Sequence, residues 1–182
     1  MTRIPILLPE NMTDDQRQVH DTIVSGPRGA VRGPLAVWLN RPELASAAQA
    51  LGRYCRFETS LVPRLSELAI LTTARVWSSE FEWSAHKPIA LEAGLSPNII
   101  EAIRTHQNPI FDHEDEAVVH AFSKTLHTDR HINDELYSRA VDILGEAAVV
   151  DLTGILGYYT LISMTINVFE VHKPNGASAE LS

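Results

Sequence analysis

Glu82 and His86 stand four residues apart, which on a helix makes them neighbours on one face. A carboxylate beside an imidazole either favours the charged ring or orients the neutral one, leaving the other nitrogen for a substrate. Histidine also has the unperturbed pKa nearest the working range of a general acid or base. Glu67 lies further back and completes a carboxylate–imidazole–carboxylate set only if its helix packs beside that of His86. Such a set can move protons. It cannot oxidise a thiol, because Cys55 is the only cysteine and has no partner for an internal disulfide. A Glu four before a His is also an everyday helix-stabilising pair, worth about 0.2–0.5 kcal/mol, so spacing alone leaves catalysis and scaffold both open.

Other residues could serve that set or merely surround it. Ser79, two turns before His86, offers a hydroxyl for substrate or for capping a helix. Trp77 and Trp83 suit pocket walls, and suit a core or an interface equally well. Arg53, Arg56 and Arg64 flank the loop before a long helical region and could grip a carboxylate by bidentate contacts, although surface placement is the commoner fate of such residues. His106, His113, His120 and His127 recur every seven residues, which invites a metal reading. Pro109 interrupts the series, however, and His120 and His127 fall opposite Val118 and Phe122, so a solvated face or a subunit contact is expected there. A zinc site needs three or four converging ligands, and none is expected. There is no Walker loop, dinucleotide fingerprint or nucleophile elbow.

The elements that must hold these residues read as helices. Thr13 with Gln16 predicts a capping box and a helix to Ser25, followed by a Gly- and Pro-rich loop from Gly26 to Pro34. A short segment, Leu35 to Leu39, leads to Pro42, which suits a first helical turn. Leu44, Ala47, Ala48 and Leu51 then mark the expected inner face of the next helix. Pro63 opens a helix with Leu65, Leu68, Ala69, Thr72 and Val76 as its stripe and Glu67 at the stripe's edge. A second piece runs from Ser79 to Ala93, stops at Gly94, and contains Pro88, which leaves the Ser84 carbonyl without its usual donor. Ser96-Pro97 starts a helix through Arg104, and His106 to His113 reads as a connector. Helices follow around Val118 to Thr125, from Asn133 to Gly145, and from Ala147 to Val168. One all-α domain over residues 1–182 is expected, with an extended arm at 1–12 and a mobile tail at 174–182.

Composition limits the partners. With 15 Lys and Arg against 23 Asp and Glu, the net charge of -8 argues against nucleic acid and against an anionic membrane surface. Met1 to Pro9 does not read as a signal peptide, so a cytoplasmic location is the default expectation. No charged residue lies between Asp151 and Glu170, nearly the length of a membrane span, but Gly154, Gly157, Ser163 and Asn167 within it favour a buried central helix. Apolar and aromatic bulk lies on more of that helix than one neighbour can cover, which a central place in one domain and self-association explain equally well.

The stretch RYCRFETSLVPRLSELAILTTARVWSSEFEWSAHKPIALEAGLS, Arg53 to Ser96, resembles the carboxymuconolactone decarboxylase and alkylhydroperoxidase-like family. GILGYYTLISMTINVFEV, Gly154 to Val171, looks like the closing helix of the same group. The resemblance implies a compact fold of about seven or eight helices and assembly as a trimer or hexamer, with sites near subunit contacts. In the peroxidase branch, Glu67 and His86 would be the proton relay, while Ser79 and Glu82 occupy the places of the two thiols. Disulfide exchange is therefore not chemically open to this chain. In the decarboxylase branch, the similar motif is Glu-His-Glu with a His four residues on; here it is Glu80-Phe81-Glu82 with His86, so Phe81 replaces a polar group. The implied activity is that of a cofactor-free lyase or isomerase acting on a small carboxylated lactone or keto/enol acid. Glu67, Glu82 and His86 would be its catalytic residues, and Ser79, Phe81, Trp83, Arg56 and Arg64 would contact substrate. A non-catalytic ligand-binding oligomer on the same fold is the alternative, and a peroxidase-type oxidoreductase ranks below both.

Overall fold

The computed structural model describes residues 2–173 and 178–181. Among them the chain forms nine α-helices and one 3-10 turn, Pro9–Asn11, against the seven or eight helices anticipated. These are α1 (Asp14–Ser25), α2 (Pro34–Trp38), α3 (Pro42–Phe57), α4 (Pro63–Val76), α5 (Glu80–Glu92), α6 (Pro97–Arg104), α7 (Glu114–Asp129), α8 (Asp134–Leu144) and α9 (Glu146–Phe169). Local signals set most of the boundaries. Thr13 and Gln16 close the capping box on α1, prolines occupy the first turns of α2, α3, α4 and α6, and the Asn133 side chain accepts from Leu136 N at the start of α8.

Two helices make the centre. α4 packs against α5, α6, α7 and α9, and α9 also carries α2, α3 and α8. The apolar helix α9 is long enough by composition to span a membrane, yet 61% of its most apolar window is buried within the protein. Its core face, including Leu152, Ile155, Leu156, Tyr158 and Tyr159, is closed over by its neighbours. Polar clips set the register. Trp38 Nε1 donates to Thr165 Oγ1 at 3.0 Å, joining α2 to α9. Asp151, near the start of α9, accepts from Tyr54 Oη at 2.5 Å and from Ser60 N and Oγ, both at 2.7 Å. Burial alone would raise the Asp151 pKa, but these hydrogen bonds outweigh it and hold the carboxyl below its usual range.

The inner face of α3 differs from the expected one. Ala45, Ala48, Gly52 and Cys55 are buried, whereas Leu44 and Leu51 are each 47% exposed and Ala47 also faces outward. The cause is close approach. A Cβ built on Gly52 would lie 2.0 Å from Tyr158 Oη and 2.6 Å from Arg28 Nη2, so glycine makes the notch that admits both side chains. Small residues let α3 settle onto α9, and the larger leucines are turned out. Val76, expected on the inner stripe of α4, is likewise 42% exposed.

Both ends of the chain are tied down where they are described. Arg3 N donates to Phe169 O at 2.9 Å, and its guanidinium meets Glu170, so the N-terminal arm lies against the end of α9. The tail expected to be free is bound at Glu180 and Leu181, whose amides donate to the Glu80 carboxylate at 2.9 and 2.7 Å. Glu180 also receives Lys87 Nζ and Trp83 Nε1. Amides presented by an extended segment to a carboxylate in the first turn of α5 explain the docking; residues 174–177 and 182 of that tail lie outside the described ones. The histidine series divides: His106 and His113 are exposed, whereas His120 and His127 are half-buried. His120 packs 5.3 Å from the Phe111 ring, and burial pushes its pKa down to about 4, while His127 Nε2 lies 3.0 Å from Thr73 Oγ1. Among the described residues no group of three or more His, Cys, Asp or Glu is arranged to hold a metal ion.

Candidate functional site

The turn between α4 and α5 brings the ionisable set together. α4 ends in a Schellman arrangement, with Ser78 N donating to Arg75 O and Ser79 N to Ala74 O, at 3.1 and 2.8 Å. Ser78 takes the left-handed conformation, φ 47°, that this ending requires. The chain then reverses into α5 and packs it along α4, so that His86 returns to the level of Glu67. His86 Nδ1 donates to Glu67 Oε2 at 2.7 Å, and Nε2 meets Glu82 Oε2 at 3.2 Å. All three side chains are buried. Burial disfavours the charged ring, but the hydrogen bonds and charges of both carboxylates outweigh it and raise His86 to about 9. The two acidic side chains thus favour the charged form of the ring. Tyr159 stands edge-on to the imidazole, with ring centroids 5.1 Å apart, and fixes its plane.

One end of this relay meets a cavity of about 590 Å³, within the usual range for small-molecule sites. Glu82, His86 and Tyr159 line it and Glu67 does not, so Nε2 is the cavity-side nitrogen and Glu67 backs the ring. Arg28, Arg32, Arg56 and Phe81 line it as well. Ser84 is also on the wall, and α5 runs on through Pro88, which cannot donate to the Ser84 carbonyl. The loop between α1 and α2 reaches the site because Gly33, φ 58°, packs under Phe81; a Cβ there would lie 2.6 Å from the ring.

The expected site residues divide by where the fold puts them. Glu67, Glu82 and His86 come together, and Arg56 and Phe81 stand in the cavity. Arg64 stands outside it, its guanidinium bound to Asp115 and Glu116 of α7. Trp83 is wholly buried, with its indole nitrogen on Glu180, and neither it nor Trp77 lines the cavity. Ser79 precedes α5 but makes no side-chain cap; its hydroxyl is buried and has no partner among the described residues. Arg28, Arg32 and Tyr159 were not foreseen. The available signal was a pair of arginines in a glycine-rich loop of an acidic chain. Cys55 is buried on the inner face of α3, and burial, helped by Asp151, pushes its thiol up to about 11.

Comparisons with known proteins agree with this architecture. Residues 42–123 match the carboxymuconolactone decarboxylase family. Among solved structures, the chain superposes on an alkylhydroperoxidase AhpD core, an uncharacterized peroxidase-related protein from Ralstonia eutropha JMP134. The TM-score is 0.78 at 15% identity, over 96% of this chain and 93% of that one. It also superposes on the debrominase Bmp8 in complex with 2,3,4-tribromopyrrole, with a TM-score of 0.75 at 15% identity, over 96% and 93% of the two chains. An uncharacterized peroxidase-related protein from Silicibacter sp. TM1040 gives a TM-score of 0.76 at 12% identity, over 100% and 96%. At such identities the likeness shows the fold alone. Among curated proteins none matches the chain significantly.

Proposed function

For a chain that belongs to the carboxymuconolactone decarboxylase and AhpD-like superfamily, and does so with a single cysteine, we propose a lyase or isomerase that acts on a small carboxylated lactone or keto/enol acid by Glu/His proton transfer. The observation that carries this reading is the buried Glu67–His86–Glu82 relay, with its Nε2 end on the wall of an open cavity. In a decarboxylation, the bond to the departing carboxylate breaks and carbon dioxide leaves. The electron pair passes into a conjugated carbonyl, and His86 delivers a proton from Nε2 to the resulting enolate. Glu67 holds Nδ1 and stabilises the ring until it is reprotonated from water; Glu82 orients Nε2. For an isomerisation, the same groups return a proton to a different carbon.

The thiol route has no support, because Cys55 is the sole cysteine and is buried, where desolvation pushes its thiol up to about 11. The non-catalytic alternative would be favoured by a site sealed by Trp77 or Trp83, and neither indole is at the cavity. A panel of carboxylated muconolactones and related lactones tests the proposal directly. Turnover above a His86→Ala control is expected, and its absence across the panel would sink the decarboxylase reading.

The pH profile is a second test. Because the folded-state pKa of His86, about 9, lies above its ordinary 6.5, the relay's stabilisation is whole below pH 6.5 and is lost as pH rises through 9. The proton donor is lost from the folded protein as pH passes through that raised value, about 9. kcat/KM should therefore hold through neutrality and fall above about pH 9, and the fall should move to lower pH in Glu82→Gln. A profile rising through pH 9 would exclude His86 as the acid.

Self-association belongs to the same proposal. The outer face of α9 carries Val150, Leu161, Met164 and Val168, all exposed, beside the exposed Leu51, Tyr54 and Phe57 of α3. A trimer or hexamer that covers this face is expected by light scattering at micromolar concentration. A strictly monomeric mass would overturn it.

A further inference from the structure

Helix α5 carries two of the three relay residues, yet its own sequence holds that stretch weakly at both ends. Ser79 stands at the N-cap without a side-chain cap, and Pro88 leaves the Ser84 carbonyl without its usual donor. What α5 lacks is supplied from far along the chain, by the segment 178–181. The Glu80 carboxylate accepts from Glu180 N, Leu181 N and Lys173 Nζ, at 2.9, 2.7 and 3.1 Å. The Glu180 carboxylate accepts from Trp83 Nε1 at 3.3 Å and from Lys87 Nζ at 2.5 Å. Arg104 Nη1 of α6 donates to the Glu180 carbonyl at 3.0 Å, and the Leu181 side chain is buried.

Glu80, Trp83 and Lys87 make a single stripe along α5. Trp83 and Lys87 each follow a relay residue, Glu82 and His86, by one position, so the stripe lies about 100° round the helix from the relay face. None of the three lines the cavity, and neither does Glu180. The segment therefore acts on α5 from outside the site. What it fixes is the rotation of α5 about its own axis. That rotation sets whether His86 Nδ1 meets Glu67 at 2.7 Å while Nε2 faces the cavity. The Lys87–Glu180 pair, with side chains 35% and 36% exposed, adds little to overall stability. Charge-assisted donors that converge on two carboxylates from separate elements fix geometry instead.

Resting on the proposed proton-transfer reading for its catalytic consequence, we propose that residues 178–181 form a strap that sets the rotation of α5, and that Glu180 is the positioning residue through which the strap keeps Glu82 and His86 in line with Glu67. Glu180 suits the role because each of its polar groups is used. Its N–H reaches Glu80, its carboxylate reaches Trp83 and Lys87, and its carbonyl takes Arg104, so one residue ties two turns of α5 to α6.

Titration of the His86 imidazole by NMR tests the strap without a substrate. Glu180→Ala should lower the ring's raised midpoint, about 9, by at least about one pKa unit, because a turned α5 draws the ring off Glu67. Glu180→Gln removes the charge but keeps an acceptor for Trp83 and Lys87, and should titrate like the wild-type protein. Leu181→Ser keeps the Glu180 charge but loosens the strap's buried anchor, and should shift the midpoint in the same direction as Glu180→Ala. With a turned-over lactone, Glu180→Ala should lower kcat at least about tenfold at nearly unchanged KM, since Glu180 is not at the cavity. A midpoint unmoved in Glu180→Ala would overturn the inference. A Glu180→Gln midpoint shifted as far as that of Glu180→Ala would overturn it too, because charge alone would then be acting. Failure of the underlying reading looks different: the midpoint falls in Glu180→Ala and is restored in Glu180→Gln, but no lactone is turned over by any of these proteins.

Discussion

Glu82→Gln lowers turnover at least about tenfold, because His86, which delivers the proton, loses one of the two charges that keep it protonated, while the helical fold stays intact. Gln keeps the volume and an oxygen that can accept from His86 Nε2, so the buried ring retains a hydrogen bond on each side. What it removes is one of the two charges that hold the proton on the ring. Glu67 still faces Nδ1, so no buried charge is left without an opposite one. His86→Ala behaves differently. It leaves Glu67 and Glu82, both buried, with no cation between them. Breaking a buried ion pair by removing one member costs about 3–5 kcal/mol, so this variant should lose stability as well as activity. Urea unfolding monitored by circular dichroism, beside initial rates on a turned-over lactone, separates the two effects. Equal activity in Glu82→Gln and the wild-type protein would show that the pair is scaffold.

Gly52→Ala destabilises the protein by about 3 kcal/mol, the upper end of the range for overpacking. Helix propensity argues the other way, since alanine in a helix interior is favoured over glycine by about 1 kcal/mol. The contact decides the sign. The new methyl would lie 2.0 Å from Tyr158 Oη and 2.3 Å from its Cζ, and the Tyr158 ring is buried between α3, Trp38 and Tyr159. The ring cannot swing to water, and Arg28, which shares the notch, would be displaced from the cavity wall. A drop in melting temperature is expected. A more stable Gly52→Ala protein would mean that the notch is not closed in solution.

The sequence by itself determined the helices, most of their ends, and the chemistry that is excluded. Capping residues, first-turn prolines and 3.6-residue periodicity act over one or two turns, so Thr13, Pro42, Pro63, Asn133 and Gly145 mark boundaries without reference to the rest of the chain. The pairing of Glu82 with His86 was legible for the same reason, because four residues along one helix is a local distance. A single cysteine rules out an internal disulfide whatever the fold. The tertiary structure decided what depends on residues distant in sequence. Glu67 joins His86 only because a left-handed Ser78 turns α5 back along α4. Arg64, equally available on paper, is claimed by Asp115 and Glu116, while Arg28 and Arg32 reach the cavity from a loop far along the chain. The inner face of α3 was misjudged because hydrophobicity ranks leucine above glycine, whereas two helices in close contact need the smaller residue where a neighbour's phenol must enter. Which side chains end in the core, in a salt bridge or on a cavity wall is set by what packs against them, and no pattern within one helix carries that information.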